Sequence, residues 1–150
     1  MEKCSMKNIG LSPNQYELKV KPEPEPEPKP KKKQNKQKEV EQTSTTHLFY
    51  ACVQAEAGNQ DLMGQQLVAD VILNRVADSR FPNTIEEVIY APGQFSVVRN
   101  GALKKAQGNI SPQVVQAVNT ELANERLNTD VLYFNNSNNG GWKYGGHWFK

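Results

Sequence analysis

Hydrophobic residues recur with helical spacing in several segments after residue 46, and the residues before it show no such spacing. In the first of these segments the apolar side chains fall at i, i+3 and i+4, and a glutamate completes the same face at i+7. These residues are Phe49, Cys52, Val53 and Glu56. The pattern predicts a helix over about 45–57, with Gly58 at the position where glycine commonly ends a helix.

Three further helices are predicted, each with a recognisable start. One runs over about 61–79 with Asp61 as its N-cap, and a short one begins at Thr84, which has the capping-box spacing to Glu87. A fourth helix begins at Ser111-Pro112 and continues to about residue 124. The predicted buried stripes are Leu67, Val68, Val71, Ile72 and Val76, then Ile85, Val88 and Ile89, then Val114, Val115, Val118 and Leu122.

The remaining segments are short or rich in glycine. Residues 94–98 are predicted to be extended, residues 99–110 to form a loop, and residues 131–134 to form a strand before a Gly-rich, aromatic end. The sum predicts a mainly helical domain (α+β) with a small extended element over residues 47–150.

Composition separates this domain from an N-terminal arm over residues 1–46. The arm holds ten Lys and seven Glu, a net charge of +3, and five of the nine prolines lie between Pro22 and Pro30. Such a Pro/Lys/Glu-rich segment cannot bury enough apolar surface to offset its ordering entropy, so we expect a disordered linker. The rest of the chain has a net charge of −1, which weighs against a nucleic-acid partner.

Several other classes of protein are disfavoured. No apolar run approaches the roughly 20 residues of a membrane span, and no secretion signal is recognisable, which leaves the localisation unknown. The two cysteines, Cys4 and Cys52, do not indicate a disulfide framework, and with two scattered histidines they provide no zinc spacing. Cys52 is interpreted as a small buried hydrophobe.

Glu56 is the residue most suggestive of chemistry. Both loss of hydration on an apolar face and the negative end of the helix dipole raise the pKa of a carboxyl group there. A glutamate kept protonated near neutral pH suits a general acid, as in glycosidases. The alternative is a glutamate at the edge of the stripe whose carboxylate reaches water.

No second carboxylate is a convincing partner for Glu56. Asp61 is explained as an N-cap, Asp70 is expected to be solvated, and Asp78 and Asp130 border turns. A single acid is compatible with substrate-assisted chemistry. Ser96 and His147 as nucleophile and base are less favoured, because no nucleophile-elbow glycines surround Ser96.

Four spaced blocks resemble a known family. They read AEAGNQDLMGQQLVADVILNRV, FPNTIEEVIYAPGQFSVV, LYFNN and GGHWF. In this order they are similar to the bacterial cell wall hydrolases of the spore cortex-lytic enzyme type. The resemblance extends over about residues 47–149 and excludes the arm.

The resemblance implies a lysozyme-like, mainly helical fold and cleavage of peptidoglycan glycan strands, by some members as lytic transglycosylases. It implies Glu56 as the catalytic acid/base and an architectural role for Gly64, Gln65, Asn74 and Arg75. The residues implied to line the cleft are Gln94, Phe95, Ser96, Tyr133, Asn135 and His147. Asp70 departs from the family pattern, which has a small apolar residue there.

We therefore expect a monomeric enzyme that needs no metal or cofactor and acts on peptidoglycan between N-acetylmuramic acid and N-acetylglucosamine. A non-catalytic peptidoglycan-binding module is one alternative. Simple muramidase hydrolysis with an unidentified second carboxylate is another.

Overall fold

The structure is a computed structural model that describes the backbone of residues 29–150 and the side chains of residues 43–150. The helices are α1 (Lys29–Ala57), α2 (Leu62–Ala77), α3 (Ile85–Tyr90), α4 (Ser96–Arg99), α5 (Ala102–Ala106) and α6 (Pro112–Leu122). The strands are β1 (Phe134–Asn135), β2 (Trp142–Tyr144) and β3 (His147–Phe149). The predicted class, mainly helical with a small extended element, is confirmed.

Helix α1 begins well before the predicted start near residue 45. Its first residues are rich in Lys, Gln and Glu, which favour helix, and Pro30 is tolerated in a first helical turn. Of the predicted arm, residues 1–28 lie outside the described part, so the domain boundary at residue 46 stays a prediction. The end of α1 at Ala57 agrees with the predicted end.

The predicted N-caps of α2, α3 and α6 are confirmed. The Asp61 side chain accepts a hydrogen bond from the Gly64 N–H at 2.8 Å, and Ser111 Oγ accepts one from Val114 N–H at 3.3 Å. At α3, Thr84 Oγ1 accepts from the Glu87 N–H at 3.2 Å and donates to Glu87 Oε2 at 2.9 Å. Local cap chemistry therefore fixes where these three helices begin.

Two predictions between residues 94 and 110 are wrong. Residues 96–99 form α4 rather than an extended segment, and the predicted loop contains α5. Asn100 Oδ1 accepts from the Ala102 N–H at 2.9 Å, and Leu103 and Ala106 are buried one helical turn apart. That i, i+3 pair is too short a repeat to predict α5 by hydrophobic spacing.

The three strands form an antiparallel sheet in the order β1-β3-β2. The predicted strand over 131–134 is displaced, because regular pairing begins only at Phe134, opposite Phe149. Leu132 and Tyr133 both donate backbone N–H groups to the Lys150 carbonyl, at 2.8 and 2.9 Å. The C-terminal β3 strand therefore lies in the middle of the sheet.

The hydrophobic core is built from α1, α2, α3 and α6 together with Phe95, Val97 and Phe149. Most of the predicted stripes are buried in it, and Cys52 is buried as expected. Leu122, by contrast, is exposed at the end of α6. In the part of the chain that the structure describes, no helix has the length and apolar character that a bilayer span requires.

Candidate functional site

Glu56 lies in the last turn of α1, with its side chain half-buried beside fully buried Cys52 and Val53. Burial raises the pKa of the Glu56 carboxyl, and a hydrogen bond from the backbone N–H of Val97 lowers it in part. Burial disfavours the charged form, whereas the N–H donor stabilises it. Glu56 therefore stays protonated to a higher pH than an ordinary glutamate, and the Val97 N–H remains as a hydrogen-bond donor to its anion.

Val97 is part of α4, whose N-cap, Phe95, provides no side-chain hydrogen bond. The first N–H groups of a helix have no partner within the helix, so the Val97 N–H is available to Glu56. Sequence reasoning missed this contact, since the segment was predicted to be extended. The Gln94 and Ser96 side chains are exposed on either side of Phe95.

Arg75 is the centre of a second feature, a cage of three aromatic rings. Its guanidinium carbon lies 5.2 Å from the ring centre of Phe81 and 5.3 Å from those of Phe95 and Tyr133. Arg75 is only 4% exposed, and its Nε donates to the Leu132 carbonyl at 2.7 Å. Cation–π attraction and this hydrogen bond together hold the three rings, which come from separate segments of the chain.

The Arg75 cage and Glu56 are neighbours through Cys52. Burial raises the pKa of the Cys52 thiol, and the charge of Glu56 raises it further, while the charge of Arg75 lowers it. Burial also lowers the pKa of Arg75 itself. Both charges therefore act on Cys52, and the cage ring Phe95 lies two residues before Val97, whose N–H donates to Glu56. The sequence resemblance treated Arg75 as architectural and gave no indication of the cage.

The six residues predicted to line the cleft divide into two groups. Tyr133 and Asn135 are exposed, as are Gln94 and Ser96. Phe95 and His147, by contrast, are 3% and 5% exposed. These two side chains have little surface to offer a ligand, so their contribution is to hold other groups. Of the six, the structure brings Phe95 and Tyr133 together around Arg75.

His147 belongs to an aromatic layer along the sheet. Its ring meets Phe134 edge-on with the centres 5.2 Å apart, and it meets Phe149 in the same way at 6.1 Å. Phe134 in turn contacts Phe95 at 6.1 Å. Burial lowers the pKa of His147, which keeps the imidazole neutral near pH 7. Through Phe134, this aromatic layer packs against the Phe95 ring.

The loop after Glu56 is tied to the β2–β3 hairpin. Gln60 Oε1 accepts from the Gly146 N–H at 2.9 Å, and Asp61 Oδ2 accepts from the Tyr144 hydroxyl at 2.7 Å. The Gly64 N–H and the Tyr144 hydroxyl both lower the pKa of Asp61. Both oxygens of Asp61 are thus engaged, which agrees with its interpretation as a cap.

The other carboxylates that sequence reasoning considered are also accounted for. Asp78 pairs with Arg80 at 2.7 Å, and hydrogen bonds from Arg80 lower its pKa to about 2. The prediction that Asp70 is solvated is wrong, because it is 0% exposed. Asp70 instead accepts a hydrogen bond from the Asn128 N–H at 2.9 Å and lies beside buried Glu121. A polar residue off the apolar stripe was taken to face water, but α6 covers it.

Metal ligands do not cluster in the described part of the chain. No group of three or more His, Cys, Asp or Glu side chains there has a geometry that could hold a metal ion.

Curated relatives align with one segment of the chain. The spore cortex-lytic enzyme of Bacillus cereus is 43% identical over 51 residues, which is 34% of this chain and 20% of that protein. The spore cortex-lytic enzyme of Oceanobacillus iheyensis is 41% identical over 51 residues, 34% of this chain and 18% of that protein. The chain therefore matches about a fifth of the length of these relatives.

Solved structures match over a larger share. The catalytic domain of the germination-specific lytic transglycosylase SleB from Bacillus anthracis superposes with a TM-score of 0.60 at 28% identity, over 70% of this chain and 92% of that one. The catalytic domain of SleB from Bacillus cereus gives 0.62 at 28% identity, over 71% and 89%. These matches confirm the lysozyme-like fold class that the resemblance implied.

The profile of the cell wall hydrolase family matches residues 59–149, more than half of the chain. The matched segment contains the Arg75 cage, α4 and the sheet, and it begins three residues after Glu56. The chain therefore belongs to the cell wall hydrolase family.

Proposed function

We propose that this domain cleaves the glycan strand of peptidoglycan between N-acetylmuramic acid and N-acetylglucosamine, as a lytic transglycosylase with Glu56 as its one general acid/base. The half-buried Glu56 carboxyl, with its raised pKa and the Val97 N–H donor, carries the proposal. The fold match to catalytic domains of SleB, one of them named a lytic transglycosylase, supports the reaction class.

The reaction begins with Glu56 protonated. The carboxyl group donates its proton to the glycosidic oxygen, the bond from that oxygen to muramyl C1 breaks, and N-acetylglucosamine leaves with a free hydroxyl. Positive charge develops at C1. The Val97 N–H, which already donates to the carboxylate, stabilises the Glu56 anion that forms.

The second step closes a ring on the muramyl residue. The Glu56 carboxylate accepts the proton of the muramyl 6-hydroxyl as that oxygen bonds to C1, which gives a 1,6-anhydro end and restores the protonated acid. A group on the same sugar has a large effective concentration, so it competes well with water. Exposed Gln94, Ser96 and Asn135 provide donors and acceptors for the substrate's acetamido and hydroxyl groups.

The anhydro product is favoured because each carboxylate considered as a partner of Glu56 has another explanation. Glycosidases that hydrolyse place a second carboxyl group about 5–5.5 Å or about 6.5–9.5 Å from the acid. Asp61, Asp70 and Asp78 have the caps and partners described above, and Asp130 is exposed beside a turn. Simple hydrolysis through an unidentified carboxylate is the second enzymatic outcome.

Mass spectrometry of muropeptides after incubation of peptidoglycan with the purified protein tests the proposal. We expect new fragments that end in 1,6-anhydro-N-acetylmuramic acid, which weigh one water less than hydrolysed ends. Reducing-end muramic acid as the sole product, with loss of activity in Asp61→Asn, would contradict the single-acid reaction. An inactive wild type that binds glycan strands would instead identify a binding module.

A further inference from the structure

A cavity of about 890 Å³ opens between the end of α2 and helix α3, and Glu56 does not line it. Its volume lies within the range of ligand sites in proteins. Its apolar wall is formed by Phe81, Pro82, Tyr90 and Pro92, and its polar groups include Asn83 and Glu87. Tyr90 is 48% exposed and has no aromatic partner in the described part of the chain.

The cavity wall is in contact with the candidate active site through aromatic rings. Phe81 lines the cavity and contacts Tyr133, with the ring centres 6.0 Å apart. Both rings belong to the cage around Arg75, whose third ring is Phe95 at the start of α4. The Val97 N–H, two residues after Phe95, donates to Glu56, so packed contacts through buried Phe95 and Arg75 link Glu56 to the cavity wall.

This lining suits an uncharged sugar. An aromatic side chain with one exposed face stacks on the apolar face of a pyranose, while amide and carboxylate groups bind its hydroxyls and its acetamido N–H. The charged groups at the cavity are Asp78, already paired with Arg80, and Glu87, which accepts from Thr84. With Asp78 neutralised by Arg80, the Glu87 carboxylate is the charge that faces a ligand, and it disfavours a muramic acid bearing an anionic stem peptide.

We propose that this cavity is a distal subsite for an N-acetylglucosamine residue of the same glycan strand, with Tyr90 as the stacking residue. The inference rests on the proposed function, since it assigns the cavity to the strand cleaved at Glu56. It predicts that long glycan strands are better substrates than short ones, because only a long strand reaches both Glu56 and the cavity.

Steady-state kinetics on long glycan strands and on a tetrasaccharide test the subsite. Tyr90→Ala should raise KM for long strands about 5- to 10-fold, the loss expected for one stacking contact of roughly 1–1.4 kcal/mol. It should leave kcat, and the kinetics on the tetrasaccharide, unchanged. Tyr90→Phe keeps the ring and should retain wild-type KM. Leu122→Ala, a change at an exposed apolar residue outside the cavity, is the matched control.

Binding of N,N′,N″-triacetylchitotriose, followed by calorimetry, separates the two proposals. We expect wild type and Tyr90→Phe to bind it and Tyr90→Ala to lose most of that affinity. An active Tyr90→Ala enzyme with wild-type KM for long strands would overturn the subsite and leave the proposed function standing. A wild type without cleavage, whose chitotriose binding still depends on Tyr90, would overturn the proposed function and keep the subsite.

Discussion

Glu56 is subject to two opposing influences, and their balance determines its protonation state. Burial at the end of α1 favours the neutral acid, and the Val97 N–H favours the anion. In the proposed reaction Glu56 gives a proton and then takes one, so it benefits from both influences, because neither form is left without stabilisation. The Val97 donor comes from a separate helix, so the position of α4 affects the acid directly.

Replacing Glu56 by Gln should abolish turnover and leave the fold intact. The amide keeps the shape of the side chain and supplies no proton, so the cleavage rate should fall about 10²-fold or more. Thermal unfolding should show a midpoint equal to that of wild type or slightly higher, because no charge has to form at a half-buried position.

Glu125→Gln is the matched control for this substitution, since Glu125 is an exposed carboxylate near the end of α6. It should retain wild-type activity under the same conditions. Near wild-type activity in Glu56→Gln would end the single-acid mechanism.

The pH dependence of cleavage should report the raised pKa of Glu56. The reaction starts from the protonated acid, so the rate is highest at low pH and falls as pH rises through that pKa. Because burial raises the pKa of Glu56, the fall in cleavage rate should occur at a higher pH than the usual pKa of glutamate. Measurement of kcat/KM on a soluble glycan from pH 4 to 9 checks this. A rate that increases across the whole range would contradict the assignment.

At the scale of elements, α2 and α6 pack together over a buried carboxyl pair. Asp70 Oδ2 accepts from the Asn128 N–H at 2.9 Å, and Glu121 Oε1 accepts from Gln66 Nε2 at 3.1 Å. The remaining oxygens, Asp70 Oδ1 and Glu121 Oε2, have no N–H donor in the described part of the chain. We infer that the two neighbouring carboxyl groups share one proton, which gives both oxygens a partner.

The shared proton makes stability depend on pH. Burial and the neighbouring Asp70 raise the pKa of Glu121 from 4.5 to about 9, while the charge of Arg126 lowers it in part. Between these values the folded chain binds a proton that the unfolded chain lacks, so stability falls as pH rises. One proton corresponds to a slope of at most about 1.4 kcal/mol per pH unit.

Thermal unfolding from pH 7 to 8 separates this effect from others, because aspartate and histidine groups titrate mainly below that range and the Cys52 thiol, once exposed by unfolding, titrates mainly above it. The midpoint of wild type should fall across it. Glu121→Gln donates an N–H to Asp70 in place of the proton and should remove most of the slope, whereas Glu125→Gln should keep it. A flat wild-type profile would show that the pair does not share a proton.

The elements that sequence predicts well are those with local signals. Asp61, Thr84 and Ser111 fix helix starts through hydrogen bonds to residues three positions ahead. Helices α4 and α5 have four and five residues, too few for a hydrophobic repeat, and α4 is further held by contacts with distant residues. Short helices of this kind are therefore hard to predict from sequence.

In the candidate site, too, local features are predictable from sequence and contacts between distant segments are not. The half-buried position of Glu56 was predictable because its neighbours on the helix face are i−3, i−4 and i−7, while its catalytic role stays a prediction. The Arg75 cage was not, since its rings come from three segments that meet only in the folded chain. The burial of Asp70 was missed for the same reason, because its partner Glu121 lies on another helix.

At the scale of the whole molecule, the described core begins at Leu48, and the elements from Val40 onward form one compact unit. The arm over residues 1–46 supplies all of the excess positive charge, with ten Lys against seven Glu. Charge without apolar surface contributes to attraction for anionic polymers rather than to a core. The arm and the domain should therefore affect different measurements.

A chain that begins at Glu41 should fold and cleave soluble peptidoglycan fragments at the rate of the full chain. The remaining part of α1, residues 41–57, keeps every buried apolar side chain of the described core, and packing stabilises such a helix. Binding to intact cell walls should be weaker for the shortened chain at low salt. The difference should vanish near 1 M salt, where the screening length falls to about 3 Å. Circular dichroism, fragment kinetics and wall sedimentation measure the three properties, and loss of folding in the shortened chain would contradict the predicted domain boundary.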